Sequence, residues 1–172
     1  MSGGPPLSWP ALGSPVFLVL AASVILLSGC SRDDAVMVST PGGLDSTAAH
    51  ACQDLADRLP ASVVDAPARK TDPVSPLVRA WGDPAIVLTC GVGTPGALTS
   101  TSQLYKINDV TWLPEEIGDA TRFTTIGRTT NVQVVVPNHY SPAGSALIDV
   151  GDAIKSTTST TATPSAQSSP PT

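Results

Sequence analysis

Apolar residues keep two different periods along this chain. Between Ser46 and Leu59, the residues Ala48, Cys52, Leu55 and Leu59 recur at spacings of four, three and four, which is one face of a helix. Asp45 stands where it can cap that helix, and Pro60 lacks the N–H a further turn would need. The spacing predicts a helix over 46–59 with Cys52 on its buried face. A second stripe, Leu147, Val150 and Ile154, predicts a helix over Pro142 to Ser156.

Between the two helices the period shortens to that of strands. The stretch Arg79 to Gly91 organises the core: Gly82-Asp83-Pro84 makes a turn, and Ala85-Ile86-Val87-Leu88 is a short apolar run expected to form a strand buried on both faces. Gln103 to Ile107 alternates polar and apolar, and Asn108-Asp109 turns it into Val110 to Leu113, a hairpin pattern. Arg122 to Ile126 and Asn131 to Val136 are two further strands, separated by Gly127 to Thr130 and closed by Pro137. Ala35 to Val38 reads as a first strand and Val63-Val64 as a short one, whereas Ala66 to Pro73, Gly91 to Thr101 and Pro114-Glu115-Glu116 read as loops. Helices near both ends with strands between them predict a single small α+β domain with a largely antiparallel sheet, over residues 35–155. From Ser156 the chain is Ser, Thr, Ala, Gln and Pro with one Lys-free run to Thr172. With no large apolar side chain to offset the entropy of ordering, residues 156–172 are expected to be disordered. Their composition also resembles O-glycosylated stalks, and an unmodified tail is as good a reading.

The most apolar run of all, Val16 to Leu27, is about as long as a signal-peptide hydrophobic region and shorter than the ~20 residues a spanning helix needs. Leu27-Ser28-Gly29-Cys30 follows it and resembles the bacterial lipobox. The resemblance implies that residues 1–29 are a lipoprotein signal peptide, that Cys30 is the lipidated first residue of the mature chain, and that 30–34 tether the domain. The absence of Lys and Arg before Val16 departs from ordinary secretory signals. Two acyl chains hold a protein far more firmly than one, which places the mature chain on the outer face of the cytoplasmic membrane. There Cys52 and Cys90 are the remaining cysteine pair, and the oxidising side of the membrane favours a disulfide between them. A metal site using His50 and Cys52 is the rival, but it lacks a second close-spaced ligand pair, and the one other histidine is His139.

Nine basic against fourteen acidic residues, a net charge of −5 with neither sign clustered along the chain, argue against nucleic acid and against electrostatic attraction to an anionic surface. Candidate catalytic groups do not gather. His50 and His139 lie outside any nucleophile motif. Glu115-Glu116, or Asp83 with Asp109, read better as solvated turns than as paired carboxylates, and there is no phosphate loop, so no cofactor is expected. The remaining polar and aromatic residues make a candidate binding surface: Arg79, Trp81 and Asp83 around one turn, Trp112 near it, and Arg122 and Arg128 flanking another strand. A tryptophan among arginines can stack on a sugar or centre a protein contact. The structural alternative has Trp81 covering the disulfide and Arg79 or Arg128 bonding Asp83.

Trp81 to Gly91, with Phe123 to Arg128 and Val132 to Pro137, is similar to an actinobacterial envelope family, the domain of unknown function 3515. Pro41-Gly42-Gly43, Ala51-Cys52 and Val110-Thr111-Trp112 fit in the same order, so the resemblance runs from Val36 to Ile154. Thr89 stands where that family often has a basic residue. The resemblance implies a lipoprotein or secreted protein and no particular activity. The expectation is an accessory lipoprotein presenting its domain to an envelope protein or glycan, with an enzyme of envelope polymers as the alternative.

Overall fold

The computed structural model describes residue 4 and residues 34–161. The chain parts into two units between Ser31 and Arg32, and the fold described here is the second. The expected signal peptide, Cys30 with residues 31–33 of the tether, and residues 162–172 of the tail lie outside the described residues.

In chain order the elements are β1 (Val36–Met37), α1 (Ser46–Arg58), β2 (Ser62–Val63), β3 (Ala66–Arg69), β4 (Thr71–Asp72), β5 (Val78–Trp81), β6 (Ile86–Val92), β7 (Tyr105–Ile107), β8 (Val110–Ile117), β9 (Ala120–Thr125), β10 (Asn131–Pro137) and α2 (Gly144–Thr157). A 3-10 turn, Asn138–Tyr140, joins β10 to α2. Eight strands form one antiparallel sheet in the order β2-β3-β5-β6-β10-β9-β8-β7, and β1 pairs in parallel with β4. This is the α+β class read from the periods.

Alternation builds the core. Ile86, Leu88 and Cys90 of β6 and Val132, Val134 and Val136 of β10 are buried with Leu55 of α1 and Leu147, Val150 and Ile154 of α2. The other face of β6 differs from the expectation: Val87 and Thr89 are only half-buried, because both helices lie on the same side of this antiparallel sheet. Asp45 caps α1, its Oδ1 accepting from the Ala48 N–H at 2.8 Å. The Cys52 and Cys90 sulfurs are bonded, stapling α1 to β6 through the core.

Three readings of local structure are corrected. Ala66 to Pro73 is not an exposed loop, since β3 and β4 lie in it. The hairpin turn into β3 is Val64-Asp65, both with φ near the left-handed region (50° and 60°), and the Val64 N–H is held by Asp149 Oδ2 at 2.7 Å. A valine in such a turn gives no composition signal. Val78–Trp81 forms β5, so the organising stretch is a whole β5–β6 hairpin turning at Gly82. Glu115-Glu116 is not a solvated turn but part of β8, which runs on to Ile117. Pro114 is tolerated there because β7 stops pairing at Trp112 and leaves the outer edge of β8 open. Lastly, order extends beyond Ser156. Thr158 is buried, Thr160 bridges to Arg128, and the Thr161 N–H donates to Gly127 O at 2.8 Å.

Candidate functional site

The six residues expected to share a binding surface do not share one. Trp81 is 1% exposed, and its indole N–H donates to Pro60 O at 3.0 Å. Trp112 is 0% exposed, on β8, with β6, β10 and β9 between it and the strand carrying Trp81. Both rings therefore fill the core instead of offering a stacking face. Arg79 donates to the carbonyls of Ser75 and Val78. Asp83 is exposed on the hairpin, and its cationic neighbour is Arg69 at 3.8 Å, not Arg79 or Arg128. Arg69 also donates to Gly82 O at 3.1 Å, so it is the arginine that holds this turn. Arg122 pairs with Glu115 at 4.0 Å. Arg128 is buried, donating to Thr158 O and, at 3.3 Å, to Asp109 O. Burial lowers its pKa from the usual arginine range.

The catalytic and metal candidates are also scattered. His50 is exposed on α1, and His139 packs edge-on against Tyr140 with ring centroids 4.9 Å apart. Cys52, engaged in its disulfide, has no thiolate to offer a metal. Among the described residues no group of three or more His, Cys, Asp or Glu side chains gathers as a metal site would require.

A different set of residues does converge. Between the β7–β8–β9 end of the sheet and the start of α2 lies an open groove of about 520 Å³. Its floor is Phe123 and Pro114, and Tyr105 stands at the rim, 52% exposed. Glu116 projects into it from β8, its carboxylate held by the Thr121 hydroxyl at 3.1 and 3.2 Å. Asn138 and Gly144 contribute from the opposite wall. Ala143 precedes α2 without a side-chain oxygen to cap it, and no acidic residue occupies the first turn. The positive end of a 14-residue helix thus faces the same space as the carboxylate.

Chemically, the groove offers aromatic and aliphatic faces, a carboxylate acceptor, an amide and backbone donors. That combination suits a ligand with both apolar faces and hydrogen-bonding edges. Glu116 is its single carboxylate, and neither histidine lines it. Glu115, next in sequence, sits on the other sheet face with Arg122. The two glutamates therefore cannot flank one scissile bond. Sequence reasoning missed the groove because its parts come from a hairpin, a strand edge, a 3-10 turn and a helix start. Pro114-Glu115-Glu116 also carried the composition of a turn.

A family model described as "Protein of unknown function (DUF3515)" matches residues 14–163. No curated protein matches the chain. No solved structure matches it either.

Proposed function

The chain belongs to the DUF3515 family, and from that premise we propose that it is a non-enzymatic accessory lipoprotein of the cell envelope. In this reading Cys30 carries the lipid, the domain stands on the outer face of the cytoplasmic membrane, and the groove beside Tyr105 and Glu116 takes an envelope protein segment or glycan. The observation that carries the reading is the groove itself: it is the place where aromatic, carboxylate and helix-end groups converge, and it holds one carboxylate where acid–base hydrolysis needs two groups. The staple between α1 and β6 suits an exposed, oxidising setting.

An enzyme of envelope polymers is the alternative class. It would need a second titrating group beside Glu116, and the nearest in sequence, Glu115, is turned to the opposite face. The test is a photo-crosslinking residue placed at Asn138 in native cells, with a control at His50 on α1. One dominant adduct from position 138, absent from position 50 and lost in Glu116→Ala, is the expected result. Equal adducts from both positions, or none from 138, would remove the groove from the account.

A further inference from the structure

The groove beside Glu116 coincides with an open edge of the sheet. β8 runs for eight residues and β7 for three, and their pairing stops where Tyr105 faces Trp112. On its other side β8 pairs with β9 without a break, from Trp112 opposite Thr125 to Ile117 opposite Ala120. One step further in the same register, the Ile126 N–H donates to Thr111 O at 2.9 Å. In an antiparallel ladder the backbone groups of successive residues turn to opposite sides. Odd-numbered residues of β8 therefore bond β9, and even-numbered ones face outward. Past Trp112 the outer edge presents Pro114 O and both backbone groups of Glu116, and among the described residues no other backbone group pairs with them. Pro114 stands at an edge position, where its missing N–H breaks no ladder bond.

The side chains along this edge select what can pair there. Those of Pro114 and Glu116 share one face, and opposite them on β9 are Phe123 and Thr121, so the edge and the groove are one surface. Glu116 is exposed and no lysine or arginine lines the groove. A second copy joined edge to edge would bring two such carboxylates opposite or diagonal to one another, which works against self-pairing. A cationic side chain would instead be matched there, and the net charge of −5 favours the same sign of partner.

We infer that the groove takes a protein segment in extended form, which adds to the free edge of β8 as a further strand and sets a lysine or arginine against Glu116. This rests on the reading of the groove as a binding site and commits that site to peptide over glycan. When the segment runs antiparallel to β8, as β7 does, its residue opposite Glu116 donates N–H to Glu116 O and accepts from the Glu116 N–H. The side chain of that residue lies on the groove face, where the carboxylate held by the Thr121 hydroxyl receives the cation. Two residues along, an apolar side chain opposite Pro114 lies towards Phe123, and the residue between them turns to the other face of the sheet. Main-chain bonds supply affinity and alternate side chains supply specificity.

The probe is a library of random nine-residue peptides displayed on phage, selected on the oxidised full chain in mild detergent and, in parallel, on its Glu116→Lys variant. Strand addition predicts that the parent selects β-branched sequences with lysine or arginine at one position, and that the variant selects aspartate or glutamate there. With the best synthetic peptide bound, hydrogen exchange of the Glu116 amide, followed by nuclear magnetic resonance, should slow by about ten-fold. Replacing the basic residue of the peptide by glutamine should weaken binding by about three- to five-fold. N-methylating the amide that donates to Glu116 O should weaken it by about five-fold. The same selected charge on both proteins, or peptide shifts at Tyr105 and Asn138 with Glu116 exchange unchanged, would overturn strand addition and leave the groove as a binding site. So would a chito-oligosaccharide that shifts those residues while no peptide is selected. If neither peptide nor oligosaccharide perturbs the groove, the binding reading and the strand fall together.

Discussion

Arg128 illustrates how a charged residue of this chain is used. Its guanidinium ties the segment after α2, through Thr158 O, to the β7–β8 turn, through Asp109 O. Removing it leaves two carbonyls in a largely buried place without their charge-assisted donor, so Arg128→Ala should cost about 2–3 kcal/mol of stability. Arg128→Lys should recover only part, because a point charge cannot reach both carbonyls with the guanidinium's fork. Arg122→Gln, whose partner Glu115 is 4.0 Å away on a more open face, should cost no more than about 1 kcal/mol. Urea midpoints of the three variants check this, and equal losses at 122 and 128 would contradict it. The same residues show what a sequence hides at this scale. Trp81 and Trp112 beside arginines look like a stacking surface, and nothing local reveals that both rings point at the helices. Gly82 was legible as a turn glycine, with φ of 71°. The added reason, a Cβ that would fall 2.1 Å from the Tyr140 hydroxyl, belongs to the tertiary fold.

At the level of elements, the staple between α1 and β6 closes a separation of 38 residues, and chain entropy assigns such a loop roughly 4 kcal/mol. Cys52→Ser and Cys90→Ser should therefore destabilise about equally, and the double variant should add little; additive losses in urea unfolding would count against this. A second link joins the β7–β8 turn to α2 through Lys155 and Asp109 at 2.8 Å. The hydrogen bond from Lys155, then that from Lys106, lowers the Asp109 pKa below its usual 3.8. Asp109 in turn raises Lys155 above its usual 10.5. A lowered carboxylate stabilises above its unfolded pKa and loses that contribution as pH falls through the folded value; the raised lysine stabilises below its unfolded pKa and loses its share as pH rises through the folded value. Asp109→Asn should accordingly differ from the parent at neutral pH and converge with it in acid below the folded pKa of Asp109. High salt should shrink the difference, since both groups are exposed. A gap between the two urea midpoints that is unchanged from neutral to acid pH would contradict the assignment. Both helices, the Asn108-Asp109 hairpin, β6 and β10 were legible because period and turn chemistry agree there. The β2–β3 hairpin was not, because it turns on Val64-Asp65, braced by Asp149 of a distant helix.

Across the whole molecule, the helices on one face of the sheet leave the β7–β9 end and the start of α2 to frame the groove. Family membership and fold class could be read from the chain; the groove could not, since it exists only once four separate segments meet. The central proposal is that this groove binds and does not catalyse. Its most direct test is a nuclear magnetic resonance titration of the oxidised protein with fractionated envelope glycan and peptide, followed over hours. The account predicts shifts concentrated at Tyr105, Glu116, Asn138 and Gly144, lost in Glu116→Ala, with the added material unchanged. Shifts confined to other residues, or steady conversion of the added material into product, would contradict it.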